Sequence, residues 1–349
     1  METLNAVMTC FKSPARQKIG AMYVALALIN VLAWAWAWIV LRASPSLIGT
    51  AFIAYSFGLR HAMDADHIAA IDNVTRKLMN DGERPVTVGF FFAFGHSLTV
   101  VVGAVAVAFT TKALAHHFDS FKETGEVLGT VVSAAFLIMI GAMNIVLLLG
   151  LFRAFGRMRR GQRHDGDLRM THFEGNLLAR LFKPLFRLVG SSWLMLPLGI
   201  LFGLGFETAT EMALFGTSAA QASAGFSIWT ILVFPCLFAA GMVTIDTTDG
   251  ILMLGAYGWA FVKPMRKLYY NLTITLISTV VALMIGSIEA LGLLGDRLSL
   301  TGPFWQAIGR LNDNFGLLGY GIVAVFVIGW LVSALLYKMK GYDRETASA

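Results

Sequence analysis

The stretch 47–73, LIGTAFIAYSFGLRHAMDADHIAAIDN, decides how the chain is read. Its first half is an apolar run of the kind that crosses a bilayer. Its second half carries Arg60, His61, Asp64, Asp66 and His67. About 20 apolar residues suffice for one helical crossing, so the spacing predicts a single helix over the whole stretch with those five ionisable side chains well inside it and Asp72 near its end. Ionisable groups at membrane depth are expensive and mark functional positions.

Comparable apolar runs lie on either side, at 19–41, 86–110, 127–151, 193–217, 228–259, 270–295 and 316–337. With 47–73 they make about eight helices. The 349 residues are 57% hydrophobic and only 14% charged, against about 25% charged in soluble domains. No segment alternates with the period of a membrane β-barrel, and a helix satisfies its own backbone in lipid. The fold class is therefore all-α, a polytopic membrane protein with a single transmembrane domain over 1–349. The first apolar run is longer than a signal-peptide core and reads as a span.

Charge sets the orientation. Twenty-one of the 27 Lys and Arg fall in the N-terminal tail, the loops at 74–85, 152–192 and 260–269, and the C-terminal tail. The positive-inside rule places these segments, and both termini, in the cytoplasm. The basic loop at about 152–192 is the largest of them and reads as a solvated loop that sets topology. The net charge of +6 is absorbed this way, leaving no case for a nucleic-acid partner; the partner is the lipid bilayer. Trp34, Trp36, Trp38, Trp193, Trp229 and Trp259 lie near span ends, where their rings anchor at the interface. Cys10 and Cys236 are far apart in sequence and support neither a disulfide framework nor a thiolate site.

Beyond the first cluster, His96 and Ser97 fall in the third run, Glu207, Thr208 and Glu211 in the fifth, and Asp246, Thr247 and Asp249 in the sixth. An Asp at the bilayer centre costs roughly 2.5–3.5 kcal/mol. Six unpaired carboxylates (Asp64, Asp66, Glu207, Glu211, Asp246, Asp249) would thus cost about 15–20 kcal/mol, comparable with a domain's whole stability. Arg60, four residues before Asp64, can neutralise one of them; a positively charged guest would balance the rest. The pairs His61/Asp64, Asp64/His67, Glu207/Glu211 and Asp246/Asp249 each share a helical face. Asp66 falls off that arc, so either the helix is irregular near Gly58 or Asp66 stands behind the ligands. Thr208, Thr210, Thr247 and Thr248 are of the kind that bond backbone carbonyls in membrane helices, although Ser97, Thr208 and Thr247 adjoin the ionisable groups and are kept with the path. Asp72 and Glu289, nearer span ends, are expected to reach interfacial water.

Imidazole with carboxylate suits divalent transition metals, whereas Mg and Ca prefer oxygen shells and Cu(I) prefers sulfur. The sixteen Met are dispersed. No G-x-x-x-x-G-K-[ST] loop is present, so the reading is a secondary carrier with no ATPase subunit and no prosthetic cofactor, the metal being its substrate. A membrane metalloenzyme is the alternative from another class; the H-E-x-x-H of zinc proteases is absent, and the chain is read as no enzyme. Metal efflux uses similar ligands and stays open at this point.

The segment HAMDADHI, with FGHS in the third run, TATE in the fifth and IDTTDG in the sixth, resembles the signatures of the nickel/cobalt transporter family, in the family's order and over nearly the whole chain. The resemblance implies uptake of Ni2+, with Co2+ beside it, and implies that His61, Asp64, Asp66 and His67 recognise the metal while His96 contributes to path and selectivity. Arg60, Ser97, Glu207, Thr208, Glu211, Asp246, Thr247 and Asp249, read from the buried polar positions themselves, are expected to line the translocation path or to stand behind the ligands. Two positions depart from the pattern: Glu207 stands where the family usually has Asp, and Leu98 where it usually has Ser.

Overall fold

The computed structural model describes residues 13–110, 115–159, 190–205, 208–260 and 264–339. Among these residues every regular element is helical: α1 (Ser13–Leu41), α2 (Pro45–His61), α3 (Ala65–Asn80), α4 (Val88–Thr110), α5 (Ala115–Arg159), α6 (Met195–Phe202), α7 (Ala209–Ser223), α8 (Ile228–Ala260), α9 (Pro264–Arg297), α10 (Pro303–Asn312) and α11 (Phe315–Met339). Five are long and apolar enough to cross a membrane, over Arg16–Leu41, Val88–Phe109, Thr124–Gly150, Ile228–Ala256 and Leu272–Arg297. α10 and α11 qualify together as a sixth span, bent by 75°. Outward-facing Val31, Leu32, Ile39, Phe109, Leu252 and Leu317 are each more than half exposed, an apolar surface suited to lipid. The chain is a multi-pass membrane protein.

Two of the expected continuous spans are broken. The helix expected over 47–73 stops at His61 and restarts at Ala65. The turn between tightens to i+3 hydrogen bonds, Met63 N to Arg60 O at 3.0 Å and Asp64 N to His61 O at 2.9 Å, and Asp64 is extended (φ −68°, ψ 147°) as the cap residue of α3. Asp is a weak helix interior residue, and here its carboxylate turns to His61 Nδ1 and makes no capping bond to the backbone of α3. The irregularity thus lies at 62–64, past Gly58.

The run 193–217 breaks similarly. α6 is only eight residues long, Gly203 and Gly205 follow it, and Thr208 caps α7 with its hydroxyl accepting from Glu211 N. Thr208-x-x-Glu211 has capping-box spacing. α3 also runs on to Asn80, so Arg76 and Lys77 are helical and Arg76 is buried, against the expected loop at 74–85. α5 likewise remains helical to Arg159, past the expected start of the basic loop; 160–189 lies outside the described residues.

α3 sits at the centre, packed on by α8, α9, α11, α4 and α5, with thirteen of its sixteen residues buried. Small residues let the surrounding backbones close up, the usual device where lipid supplies no hydrophobic drive between helices. A Cβ on Gly95 of α4 would collide with the carbonyl of Leu196, and one on Gly199 of α6 with that of Phe92. A Cβ on Gly58 of α2 would strike the carbonyl of Phe238 in α8. α1 is tied on by Asn30, whose Nδ2 donates to Thr244 Oγ1 of α8 at 2.9 Å and whose Oδ1 accepts from Tyr55 OH of α2 at 2.8 Å.

Gly95→Ala is expected to cost about 1–3 kcal/mol by forcing α4 from α6 and to lower the Tm of the detergent-purified protein. Gly49→Ala, where a Cβ meets nothing within 4 Å, is expected to leave the Tm unchanged or raise it. Equal melting of both variants would contradict this packing account.

Candidate metal site

The two helix breaks face each other and bring the costly residues together. His61 ends α2, Asp64 caps α3, His67 lies in its first turn, and His96 comes from the middle of α4. α7 contributes Thr208, Thr210 and Glu211 from its N-terminal turn, and α8 contributes Asp246. His61, Asp64, His67, His96, Glu211 and Asp246 are all at most 2% exposed.

Three imidazoles form the centre, with ring centroids 4.7 Å apart for His61 and His67, 4.9 Å for His61 and His96, and 4.8 Å for His67 and His96. One nitrogen from each lies within 4.8 Å of the others. His61 Nε2 and His96 Nε2 are 3.0 Å apart. An ion about 2.1 Å from each nitrogen bridges separations up to about 4.2 Å, so this pair is already at a chelating distance.

The outer nitrogens are held by carboxylates. His61 Nδ1 is 3.0 Å from Asp64 Oδ2, and His67 Nδ1 is 3.1 Å from Asp246 Oδ2. A carboxylate on one ring nitrogen fixes the proton there and frees the other as a lone pair, the usual arrangement behind metal-binding histidines. His67 Nε2 is accordingly buried without a hydrogen-bond partner. Glu211 Oε1 stands 2.9 Å from His96 Nε2 and 3.7 Å from His61 Nε2, while its Oε2 accepts from Thr208 Oγ1 at 3.0 Å. Buried rings of Phe92 and Phe238 close the sides, 4.9 Å from His67 and 5.4 Å from His61. A buried cluster of imidazole nitrogens with carboxylates at its margin and aromatic walls suits a divalent transition-metal ion.

Not every expected residue joins this centre. Asp66 is half-buried in the first turn of α3, outside the three converging nitrogens. Arg60 is exposed and makes no salt bridge with Asp64, because the break removes the i,i+4 relation; Asp64 turns to His61 instead. Ser97 and Thr247 are buried with hydroxyls that have no partner. Asp249 is half-buried one turn along α8. Glu207 lies outside the described residues. Leu98 is 48% exposed on α4, so that departure from the family pattern faces away from the chamber.

Thr208, kept with the path, approaches His61 Nδ1 at 3.3 Å; Thr210, expected only to bond backbone carbonyls, does so at 3.4 Å, whereas Thr248 bonds Thr244 O. The capping-box spacing at Thr208 was the available signal. Phe92 and Phe238 had none, being aromatic residues in apolar runs. Asp72 and Glu289, expected at interfacial water, are 0% and 4% exposed; Ser278 donates to Asp72 Oδ2 at 2.7 Å and Ser133 to Glu289 Oε1 at 2.9 Å. α11 covers the break from outside: a Cβ on Gly319 would collide with Met63 O, and one on Gly316 would lie 3.0 Å from Arg60 Nη2 and 3.2 Å from Asp64 Oδ1.

Residues 47–336 match the family described as high-affinity nickel-transport protein. The chain is 53% identical over 335 residues to a high-affinity nickel transport protein of Cupriavidus necator, covering 96% of this chain and 95% of the relative. It is 43% identical to the nickel transporter NixA of Staphylococcus aureus, with 95% and 97% covered. It is also 38% identical to the cobalt transport protein NhlF of Rhodococcus rhodochrous, with 93% and 94% covered. No solved structure matches.

Asp246→Asn preserves shape but removes the charge that orients His67, so nickel binding by the purified protein, measured by calorimetry, is expected to weaken about 10- to 100-fold. Thr248→Val on the same helix is expected to bind normally. Unchanged affinity in Asp246→Asn would mean that His67 is not oriented this way.

Proposed function

The chain belongs to the high-affinity nickel-transport protein family, and from that premise we propose that it carries Ni2+ into the cell through the histidine chamber. It is a carrier of nickel ions, with Co2+ as a second substrate; the relative named as a cobalt transport protein supports the latter. The observation that carries the site assignment is the convergence of His61, His67 and His96, fully buried, with nitrogens within 4.8 Å. In this reading those three bind the ion directly. Asp64 and Asp246 orient His61 and His67, and Glu211, held by Thr208, supplies the neighbouring negative charge.

Asp66, with Arg60, Ser97, Glu207, Thr247 and Asp249, lines the approach or the exit. The basic segments keep both termini in the cytoplasm of a bacterial cell with the protein in its inner membrane, and the broken helices count as crossings to give about eight. The interior-negative potential drives uptake: a dication gains roughly 4.6 kcal/mol per 100 mV on moving inward. No ATPase subunit is needed, and no prosthetic group.

Accumulation of radioactive nickel in cells expressing the wild type, His61→Ala or Asp66→Ala tests this, with Co, Zn and Mn as competitors. His61→Ala is expected to lower uptake by at least about tenfold, cobalt to compete best, and an ionophore that collapses the potential to slow the wild type. Undiminished uptake in both variants would reject the assigned site, and outward flux from energised vesicles of native orientation would reject import.

A further inference from the structure

α10 is a ten-residue helix set between two that belong to the membrane. α9 reaches it at the end of the span Leu272–Arg297, and α11 leaves it after a bend of 75°. With 25 residues, α11 is long enough to cross about 30 Å of hydrocarbon without help from α10. A helix set at 75° to a crossing neighbour lies close to the bilayer plane.

The depth of α10 follows from what it packs on. A Cβ on Gly292 of α9 would lie 3.3 Å from Asn312 Cγ, and one on Gly295 would lie 3.0 Å from the ring of Trp305. Both glycines fall in the last two turns of a span of 26 residues, where it emerges from a core that about 20 residues already cross. α10 therefore rests where acyl chains give way to headgroups.

At about 100° per residue its side chains divide into three sectors. Trp305, Ile308, Gly309 and Asn312 turn to the protein and are buried or half-buried. Phe304, Ala307 and Leu311 make an exposed apolar flank, while Gln306 and Arg310 make an exposed polar one. The adjoining ends of α9 and α11 also expose Leu294, Leu298 and Leu317, so the apolar flank carries on the lipid-facing surface of the spans. Exposed Asp296, Arg297, Arg310 and Asp313 stand at the same end of the bundle, both signs together, as they are in a zwitterionic headgroup layer.

We propose that α10 is an interfacial helix whose docking partner is the phospholipid layer itself. Phe304, Ala307 and Leu311 enter the acyl boundary, and Gln306 and Arg310 stay among the headgroups, as in helices whose apolar face sinks about 5–10 Å into that boundary. The helix thereby anchors the turn from which α11 descends with Gly316 and Gly319 over the break between α2 and α3. A second copy of the chain fits this flank less well, because three apolar side chains fall far short of the about 800 Å² per partner that a stable interface buries.

The test uses the full chain in phosphatidylcholine vesicles, carrying Cys10→Ala and Cys236→Ala and one spin label at a time on Phe304→Cys, Ala307→Cys, Leu311→Cys, Gln306→Cys or Arg310→Cys. Collisions with oxygen, which concentrates in acyl chains, are compared with collisions with a water-soluble chromium complex. Oxygen is expected to dominate at the first three positions and chromium at the last two, so that the ratio reverses between neighbours 306 and 307. Chromium dominating at all five overturns the proposal and places α10 above the membrane. Oxygen dominating at all five overturns it in favour of a re-entrant helix. Protection from both at 304, 307 and 311 overturns it in favour of cover by protein, a second copy included. Where a labelled variant does not fold, the unsubstituted chain in the same vesicles gives the reading. Hydroxyl radicals made in the water are then expected to spare Phe304 and Leu311 relative to the denatured chain, and equal oxidation overturns the proposal.

Discussion

Placing several imidazoles and carboxylates inside an apolar bundle is affordable only if each polar group meets another, and most of the architecture follows from that requirement. An isolated ion of either sign at this depth is penalised by desolvation. The carboxylates of Asp64 and Asp246 meet His61 and His67, and Glu211 meets both His96 and the hydroxyl of Thr208. His67 Nε2 is left buried without a hydrogen-bond partner, and in the proposed reading a dication meets it together with His61 and His96.

Continuous helices could not have assembled this arrangement. A regular helix puts His61 and His67 about 120° apart around the axis and about 9 Å apart along it, which would separate the rings instead of bringing their centroids to 4.7 Å. The turn at 62–64 folds α3 back so that Asp64 and His67 approach the end of α2. The second break places the start of α7 opposite. Irregular backbone at membrane depth is tolerated where protein encloses it, and here α11 does so through Gly316 and Gly319, whose missing side chains admit the carbonyl of Met63 and the side chains of Arg60 and Asp64.

The same logic explains a polar seam between α3, α5 and α9. Arg76 is among the largest fully buried side chains, and a charge so placed would be a liability without the hydroxyl of Thr275 and the amide of Asn73 to replace its lost water. Chamber and seam share α3 as one wall, so a change in how α3 packs reaches both.

Much of this was legible in the linear chain. Hydropathy summed over about 20 residues located the membrane helices, because lipid solvation depends on composition and hardly on what lies beside it. The cost of burying charge singled out His61, Asp64, His67, His96, Glu211 and Asp246, because that penalty belongs to the residue type. The sequence also contained the capping signals at Asp64 and Thr208, but a window average passes over one extended residue in an apolar run, so the two breaks were read as continuous spans. Which polar groups meet was decided only in three dimensions. Glu211 reaches His96 across 115 residues and His67 reaches Asp246 across 179, while Arg76, Asp72 and Glu289 look like solvated residues until neighbouring helices enclose them. Burial and pairing arise from contacts between distant segments, and no local pattern encodes those contacts.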